Sequence, residues 1–279
     1  MNKKTLFIVA ADAVALSFWA LKKMSSVIPR AGRRHTLRVL VYHAVLAEDF
    51  SKDPCEDNVS APDFERHILT IKKIYGERVI SLSKGIEGLR SGDLAGDSIC
   101  VTFDDGLEKT FANASGILKA NAVNAAFFII AGYLDGALRD DTHMSAGRIR
   151  EIAGQGFEIG CHAYSHKSLA KMSGQELARE VNGAKEVFEK NGFKVKYFAY
   201  PYGFFSDFSE KTGELIKKSG FEAAFTNVMG DNNPGDNLYT LKRVRVSWRD
   251  NSFRFKLKLA GCYDWLDKLK AILHARTRS

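Results

Sequence analysis

The sequence predicts an α/β fold: a distorted (β/α) barrel of about seven to eight parallel strands, with a basic helix at each end. Three observations predict it. Short apolar runs rich in Val, Ile and Phe recur along the chain. Segments with helical spacing of apolar residues separate most of them, the alternation expected of parallel strands joined by crossover helices. Polar residues able to do chemistry fall where those strands end, the rim that carries function in such barrels.

Arg38–Val45 reads RVLVYHAV and is the first strand. Ala61–Tyr75 follows as a helix, with Pro62 near its start and Phe64, Ile68, Ile71 and Ile74 along one face. Arg78–Leu82 reads as a short strand. Ser98–Phe103 (SICVTF) is a buried strand that runs into Asp104–Asp105–Gly106. Thr110–Asn121 is helical and Ala125–Ile130 (AAFFII) is the next strand. Ser145–Gln155 is a helix, and Phe157–Cys161 a strand leading into His162. A long helix through Val181, Ala184, Val187 and Phe188 precedes a strand at Lys196–Tyr200. A helix near Ser209–Lys218 and strands at Ala223–Thr226 and Leu241–Val246 complete the body.

The 279 residues include 45% apolar and 27% charged positions, enough to bury a sizeable core. That composition excludes a disordered, collagen-like or multi-span membrane chain. Four cysteines (Cys55, Cys100, Cys161, Cys262) with no C-x-x-C pair argue against a disulfide framework or a zinc ribbon.

The net charge of +8 is unevenly placed. Residues 1–40 carry +7 and residues 253–279 carry +5, so the body between them is mildly acidic at −4. A nucleic-acid enzyme would spread its cations around the catalytic region, so no nucleic-acid partner is expected. Residues 5–21 form an apolar segment between Lys3–Lys4 and Lys22–Lys23. As a helix it spans about 25 Å, short of a bilayer core of about 30 Å. Asp12 near its middle would cost roughly 2.5–3.5 kcal/mol on insertion. An anchor or interfacial helix, a signal peptide and a plain soluble helix are the readings open to it. At the other end Phe255, Leu259, Cys262, Leu266, Leu269 and Leu273 recur at helical spacing among Lys and Arg. That pattern fits a basic amphipathic helix lying on anionic lipid, or a terminal helix packed on the body. The division expected is an N-terminal apolar and basic segment (1–37), a catalytic body (38–250) and a basic C-terminal extension (251–279). The basic flanks suggest a membrane-associated chain whose body stays on the cytoplasmic side.

Asp104 and Asp105 are adjacent carboxylates at the end of a hydrophobic strand, a costly arrangement unless a cation or base chemistry uses them. His162 and His166 stand four apart in C-H-A-Y-S-H, a spacing that can aim two imidazoles at one metal. One carboxylate with two imidazoles leaves coordination positions open for water and substrate. His67 lies in a helical pattern and His35 and His143 in loops; all three read as surface residues. Cys161 reads as a packing residue.

These motifs carry a resemblance. T-F-D-D-G (Thr102–Gly106), H-A-Y-S-H (His162–His166) and F-A-Y-P-Y-G (Phe198–Gly203) resemble, in order and spacing, the three motifs of the polysaccharide deacetylase family, carbohydrate esterase family 4. The similarity spans roughly residues 38–248. It implies a metal-dependent hydrolase that removes N-acetyl groups from a glycan, with a divalent metal, usually zinc. On the matching positions, Asp104 would be the general base, and Asp105, His162 and His166 the metal ligands. The Tyr202 backbone N–H would stabilise the oxyanion, with Pro201 shaping its loop. The third motif often opens with an Arg that orients the base; here that place is Ala199. V-L-V-Y-H (Val39–His43) is similar to the early segment of the poly-N-acetylglucosamine deacetylases, in which a His from this strand serves as general acid. His43 is therefore favoured as the acid over His274, the other candidate. The expected partners are an N-acetylated glycan, possibly lipid-linked, and a membrane surface. A peptidoglycan or small-amide deacylase, or a glycan-binding protein that has lost turnover, are the alternatives.

Overall fold

The structure, a computed structural model, describes residues 3–25, 35–47, 57–138, 140–267 and 269. Helix α1 (Lys3–Ser25) precedes strand β1 (Leu37–Tyr42) and the short parallel pair β2 (Val45–Leu46) and β3 (Val59–Ser60). Helices α2 (Ala61–Tyr75) and α3 (Leu82–Ser91) lead to β4 (Ser98–Phe103), α4 (Glu108–Ala120) and β5 (Ala125–Ile129). Then come α5 (Ala146–Gly154), β6 (Glu158–Cys161), α6 (Gly174–Ala178), α7 (Ala184–Lys190) and β7 (Tyr197–Ala199). Helix α8 (Glu210–Lys218), β8 (Ala223–Phe225), β9 (Val244–Arg245) and α9 (Ser252–Leu259) complete the described elements.

Seven strands form one parallel sheet in the order β8-β7-β6-β5-β4-β1-β9, curled into a half-barrel. The expected distorted barrel is what forms. The segment 238–246 runs across the gap. Leu241 exchanges backbone hydrogen bonds with Ala224 and Thr226 beside β8, and Val246 N–H donates to Val41 of β1.

Strand alternation sorts the side chains. Leu40, Tyr42, Val101, Phe103, Phe127 and Ile129 pack under helices α2, α4 and α5. Leu37, Val39, Cys100, Ala126, Phe128, Ala199 and Phe225 face the concave side with Leu82, Ile86 and Leu89 of α3. Thr102 and Asp104 continue the row begun by Cys100, so the first carboxylate enters the mouth of the half-barrel by parity alone.

Three expectations are corrected. Arg78–Leu82 is not a strand: Ile80 N–H makes one ladder bond to Ile99 O, and Ser81 then caps α3 through the Lys84 N–H. The long helix before β7 is interrupted, because Arg179–Gly183 forms a π-turn between α6 and α7. The C-terminal apolar residues do not form one continuous amphipathic helix. The chain turns at Gly261 (φ 72°), and Phe255, Leu257, Leu259, Cys262 and Tyr263 are buried against the body; Leu273 and His274 lie outside the described residues. Among the described residues, no helix is long and apolar enough to cross a membrane. In α1, Ala11 and Ala15 are buried, and the Asp12 carboxylate is bonded by Arg254 and the Tyr263 hydroxyl. Packing with α9 thus satisfies the charge that made a spanning reading costly.

Candidate metal and catalytic site

Because every strand of the sheet is parallel, their carboxyl ends share one rim, and the sequence-predicted residues meet there. After β4, Asp104 N–H donates to Tyr42 O, and Asp105 (φ 72°) and Gly106 (φ 74°) turn the chain away in the left-handed region. A Cβ on Gly106 would lie 2.9 Å from Ile129 Cδ1, so this turn requires glycine. After β6, His162 N–H donates to Ile129 O, which sets the histidine beside the turn.

The His162 ring has one defined role for each nitrogen. Nδ1 lies 2.9 Å from Ala199 O, which can only accept, so Nδ1 carries the proton and Nε2 presents a lone pair. Nε2 stands 3.4 Å from Asp105 Oδ1, and His166 Nε2 stands 3.3 Å from the same oxygen. Yet Asp105 Oδ1 is buried and has no hydrogen-bond partner. Donor atoms of Asp105, His162 and His166 all lie within 4.8 Å of one another, the one such cluster among the described residues. An orphaned carboxylate oxygen facing an imidazole lone pair is an arrangement that a divalent cation satisfies, and the mixed N and O donor set suits zinc. Burial pushes the Asp105 carboxyl up, but the imidazoles of His162 and His166, with His43, more than offset it and hold it well below the usual carboxylate range.

The loop carrying His166 is strained and braced. Ala163 (φ 59°) and His166 (φ 57°) are left-handed, as is Tyr202 (φ 60°) across the site. Counting Asp105, four of the five non-glycine residues with positive φ among the described residues lie at this rim, a concentration typical of sites where surrounding contacts hold strain. Here the brace is Glu180, a buried residue on the π-turn, whose carboxylate accepts from the Tyr164 N–H, the Ser165 N–H and the Ser165 hydroxyl.

The second carboxylate is held differently. Asp104 is 1% exposed and forms a bidentate pair with the fully buried Arg243, at 2.7 Å (Nη1–Oδ1) and 2.6 Å (Nη2–Oδ2). Burial raises the Asp104 carboxyl, and Arg243, aided by His162 and His43, outweighs it, so the group stays ionised below its ordinary range. His162 Nε2 lies 3.9 Å from Asp104 Oδ2, so the second carboxylate adjoins the Asp105–His162–His166 cluster. The Arg243 Nη2 also donates to Asn227 Oδ1 at 2.9 Å, and Asn227 Nδ2 donates to Tyr202 O at 2.8 Å. The carboxylate and the Tyr202 loop are therefore parts of one hydrogen-bonded unit. Gly203 (φ 69°) closes that loop, and a Cβ there would come within 2.7 Å of Asn227 N.

The family model for polysaccharide deacetylase matches residues 91–224, which carry all three motifs. This chain carries a polysaccharide deacetylase domain. It is 27% identical over 247 residues to a poly-β-1,6-N-acetyl-D-glucosamine N-deacetylase of Staphylococcus aureus, covering 81% of this chain and 83% of that protein. Among solved structures it resembles IcaB from Ammonifex degensii, with a TM-score of 0.66 and 27% identity over 82% of this chain and 97% of that one. The Streptococcus pyogenes deacetylase PplD shares the fold, with a TM-score of 0.71 at 18% identity, over 81% of this chain and 99% of that one.

Two residues of this deacetylase domain's site lie outside the matched span. Arg243 is the residue that sequence reasoning missed. The place where the third motif often has Arg is Ala199, whose carbonyl instead orients His162, and the guanidinium arrives from the segment after β8. Leu241–Val246 reads LKRVRV, with three basic residues, and no local spacing marks Arg243 apart from Lys242 and Arg245. The other is His43. It follows β1, and its Nδ1 is buried without a hydrogen-bond partner. Pro201 is buried and Tyr202 is half-exposed, its ring 4.9 Å from the His166 ring.

Two histidines expected on the surface are elsewhere. His67 is 2% exposed, stacks on Phe255 at 3.9 Å, and contacts Asp250 O through Nε2 at 2.9 Å. His143 is partly buried, stacked on Tyr133 at 3.7 Å and paired with Asp140 at 2.8 Å. Helical spacing placed His67 without revealing that α9 covers it.

Proposed function

We propose that this protein is a metal-dependent glycan N-deacetylase that hydrolyses N-acetylglucosamine units of a cell-surface or exopolysaccharide. The observation that carries the reading is the juxtaposition just described: a carboxylate and two imidazoles converging on an unpartnered oxygen, beside a second carboxylate locked by a guanidinium. Asp105, His162 and His166 would hold the cation. When bound, a divalent ion such as zinc lowers the pKa of water toward 7 and polarises an amide carbonyl.

Asp104 takes the proton as the water oxygen attacks the acetamide carbon. It is fit to do so because Arg243 keeps it ionised and aimed. The Tyr202 N–H faces the oxygen on which negative charge develops, a role worth about 3–4 kcal/mol where single donors have been deleted. His43 gives a proton to the departing nitrogen. The C–N bond then breaks to leave a free amino sugar and acetate. The linkage favoured is β-1,6, the one named for the S. aureus relative. Arg243 supports turnover over glycan binding alone, since it holds Asp104 although Ala199 lacks a side chain to do so.

The test is acetate released from N-acetylated β-1,6-linked glucosamine oligomers, with and without a chelator. Release that stops with chelator and returns with zinc is the expected result. No release from any N-acetylated glycan would overturn the reading.

The ends of the chain add a place of action. The +7 of residues 1–40, together with exposed Val14, Leu16 and Phe18 on α1, supports binding to an anionic membrane surface. Sedimentation with phosphatidylglycerol vesicles, weakened by salt, is expected; equal binding to neutral vesicles would refute the electrostatic part.

A further inference from the structure

A second feature opens off the same rim. The connection from β5 to α5 borders an open cavity of about 440 Å³ lined by Tyr133, Gly136, Leu138, Asp140, His143 and Met144. This lies within the range of about 300–1,000 Å³ usual for small-molecule sites.

Both walls are tied to the metal-ligand loops. On one side Glu108 N–H donates to Thr142 O and Met144 N–H donates to Gly106 O, so His143 runs antiparallel to Leu107, two residues past Asp105. On the other, Ala131 N–H donates to Ala163 O, Gly132 N–H to Tyr164 O, and the Tyr164 hydroxyl to Asp135. Those partners lie between His162 and His166. Backbone hydrogen bonds thus fix the cavity's walls to both loops that carry the metal-ligand residues.

The groups inside it are built in place. Tyr133 and His143 stack 3.7 Å apart at an interplanar angle of 7°. Asp140 Oδ1 accepts from the Thr142 N–H, the Thr142 hydroxyl, the His143 N–H and the His143 Nδ1. His143 first, then Thr142, hold the carboxyl far below its ordinary range against a small desolvation cost, so it is an anion at neutral pH. A flat aromatic pair beside a fixed anionic acceptor is the combination that recognises a pyranose, whose C–H face packs on a ring and whose hydroxyls donate to carboxylate.

We propose that this cavity is a sugar subsite, which binds the hexosamine next to the unit whose acetamide lies at the metal cluster. The inference rests on the deacetylase reading and names what that site grips beyond the reacting group. It makes the protein an enzyme for chains, with the neighbouring sugar holding the substrate in register.

The experiment compares acetate release from one-sugar to five-sugar N-acetylated β-1,6 oligomers by the unaltered protein, Asp140→Asn and Tyr133→Ala. Asp140→Asn keeps an oxygen for the turn and removes only the charge. For the unaltered protein kcat/KM climbs with length; in both variants that climb falls roughly tenfold, through KM. Variants that keep the full climb overturn the subsite. So do variants whose kcat falls equally on one sugar and five, which would place these residues at the reacting centre. Failure of the deacetylase reading looks different, because the unaltered protein would then release no acetate from any oligomer. Calorimetry with the five-sugar oligomer still decides the cavity in that event: weaker binding by Asp140→Asn supports it, and equal binding overturns it.

Discussion

The Arg243 guanidinium has five N–H groups, and five oxygens receive them: both oxygens of Asp104, Thr226 O, Asn227 Oδ1 and, at 3.4 Å, Thr102 Oγ1. Removing it by Arg243→Met leaves a buried carboxylate unpaired, a loss of about 3–5 kcal/mol near neutral pH. The sign with pH follows from the pair. In the parent protein Asp104 lies below its unfolded value, so its contribution to stability is present above that value and is lost as pH falls. In the variant the unpaired carboxyl is raised, so the deficit shrinks as the pH is lowered, which thermal melts across pH 5–8 will show. The acidic limb of kcat/KM shifts upward for the same reason. An unmoved limb would mean that Asp104 is not the group whose ionisation the reaction needs. Asp105→Ala and His162→Ala are each expected to abolish both zinc retention and acetate release, read by metal analysis of the purified protein.

At the scale of elements, the rim is held by loops that would not keep their shape alone. The segment from Ala163 to His166 has two left-handed residues, and Glu180 reaches it from the π-turn between α6 and α7. Glu180→Ala takes away three acceptor interactions without touching a ligand. Zinc affinity, measured by competition with a chromogenic chelator, is expected to weaken by roughly 10–100-fold, the usual effect of losing a group that orients a ligand. Unchanged affinity would show that the loop holds itself. Gly203→Ala is expected to cost activity through both its positive φ and the 2.7 Å approach to Asn227 N, with lower kcat for acetate release as the readout. Most strands were legible because buried parallel strands are continuous apolar runs bounded by turns, as in Ser98–Phe103 and Ala125–Ile129. Leu82–Ser91 was not. Its three buried apolar positions, Leu82, Ile86 and Leu89, sit among Gly, Ser and Lys, too few to outweigh the β-branched residues just before it.

Over the whole molecule, the two basic ends meet. Asp12 of α1 is bonded by Arg254 and by the Tyr263 hydroxyl, more than 240 residues away. Asp12→Ala is expected to destabilise the fold by roughly 1–2 kcal/mol, read as a lower melting temperature, because it strands a partly buried guanidinium. A variant as stable as the parent would mean that α1 contributes no net stability through this contact. The same packing answers why the charge and hydropathy of residues 5–21 were ambiguous. A helix that covers α9 and one that lies on lipid both need an apolar stripe, and only the contacts of Ala11, Asp12 and Ala15 tell which face of α1 meets α9.

Sequence by itself determined the strand-and-helix alternation, the parallel barrel class and the cluster of Asp105, His162 and His166. Each of these rests on a local pattern: continuous apolar runs in strands, a spacing of four between the histidines, and a D-D-G turn at a strand end. Tertiary structure decided which cation partners Asp104, what covers His67, and that His143 and Tyr133 stack beside the rim. Those depend on pairings across 139, 188 and 10 residues of separation, respectively. No repeat or spacing in a single chain encodes such distances, because the curling of the sheet, not the order of residues, brings the ends of β1, β4, β6 and β8 to one mouth.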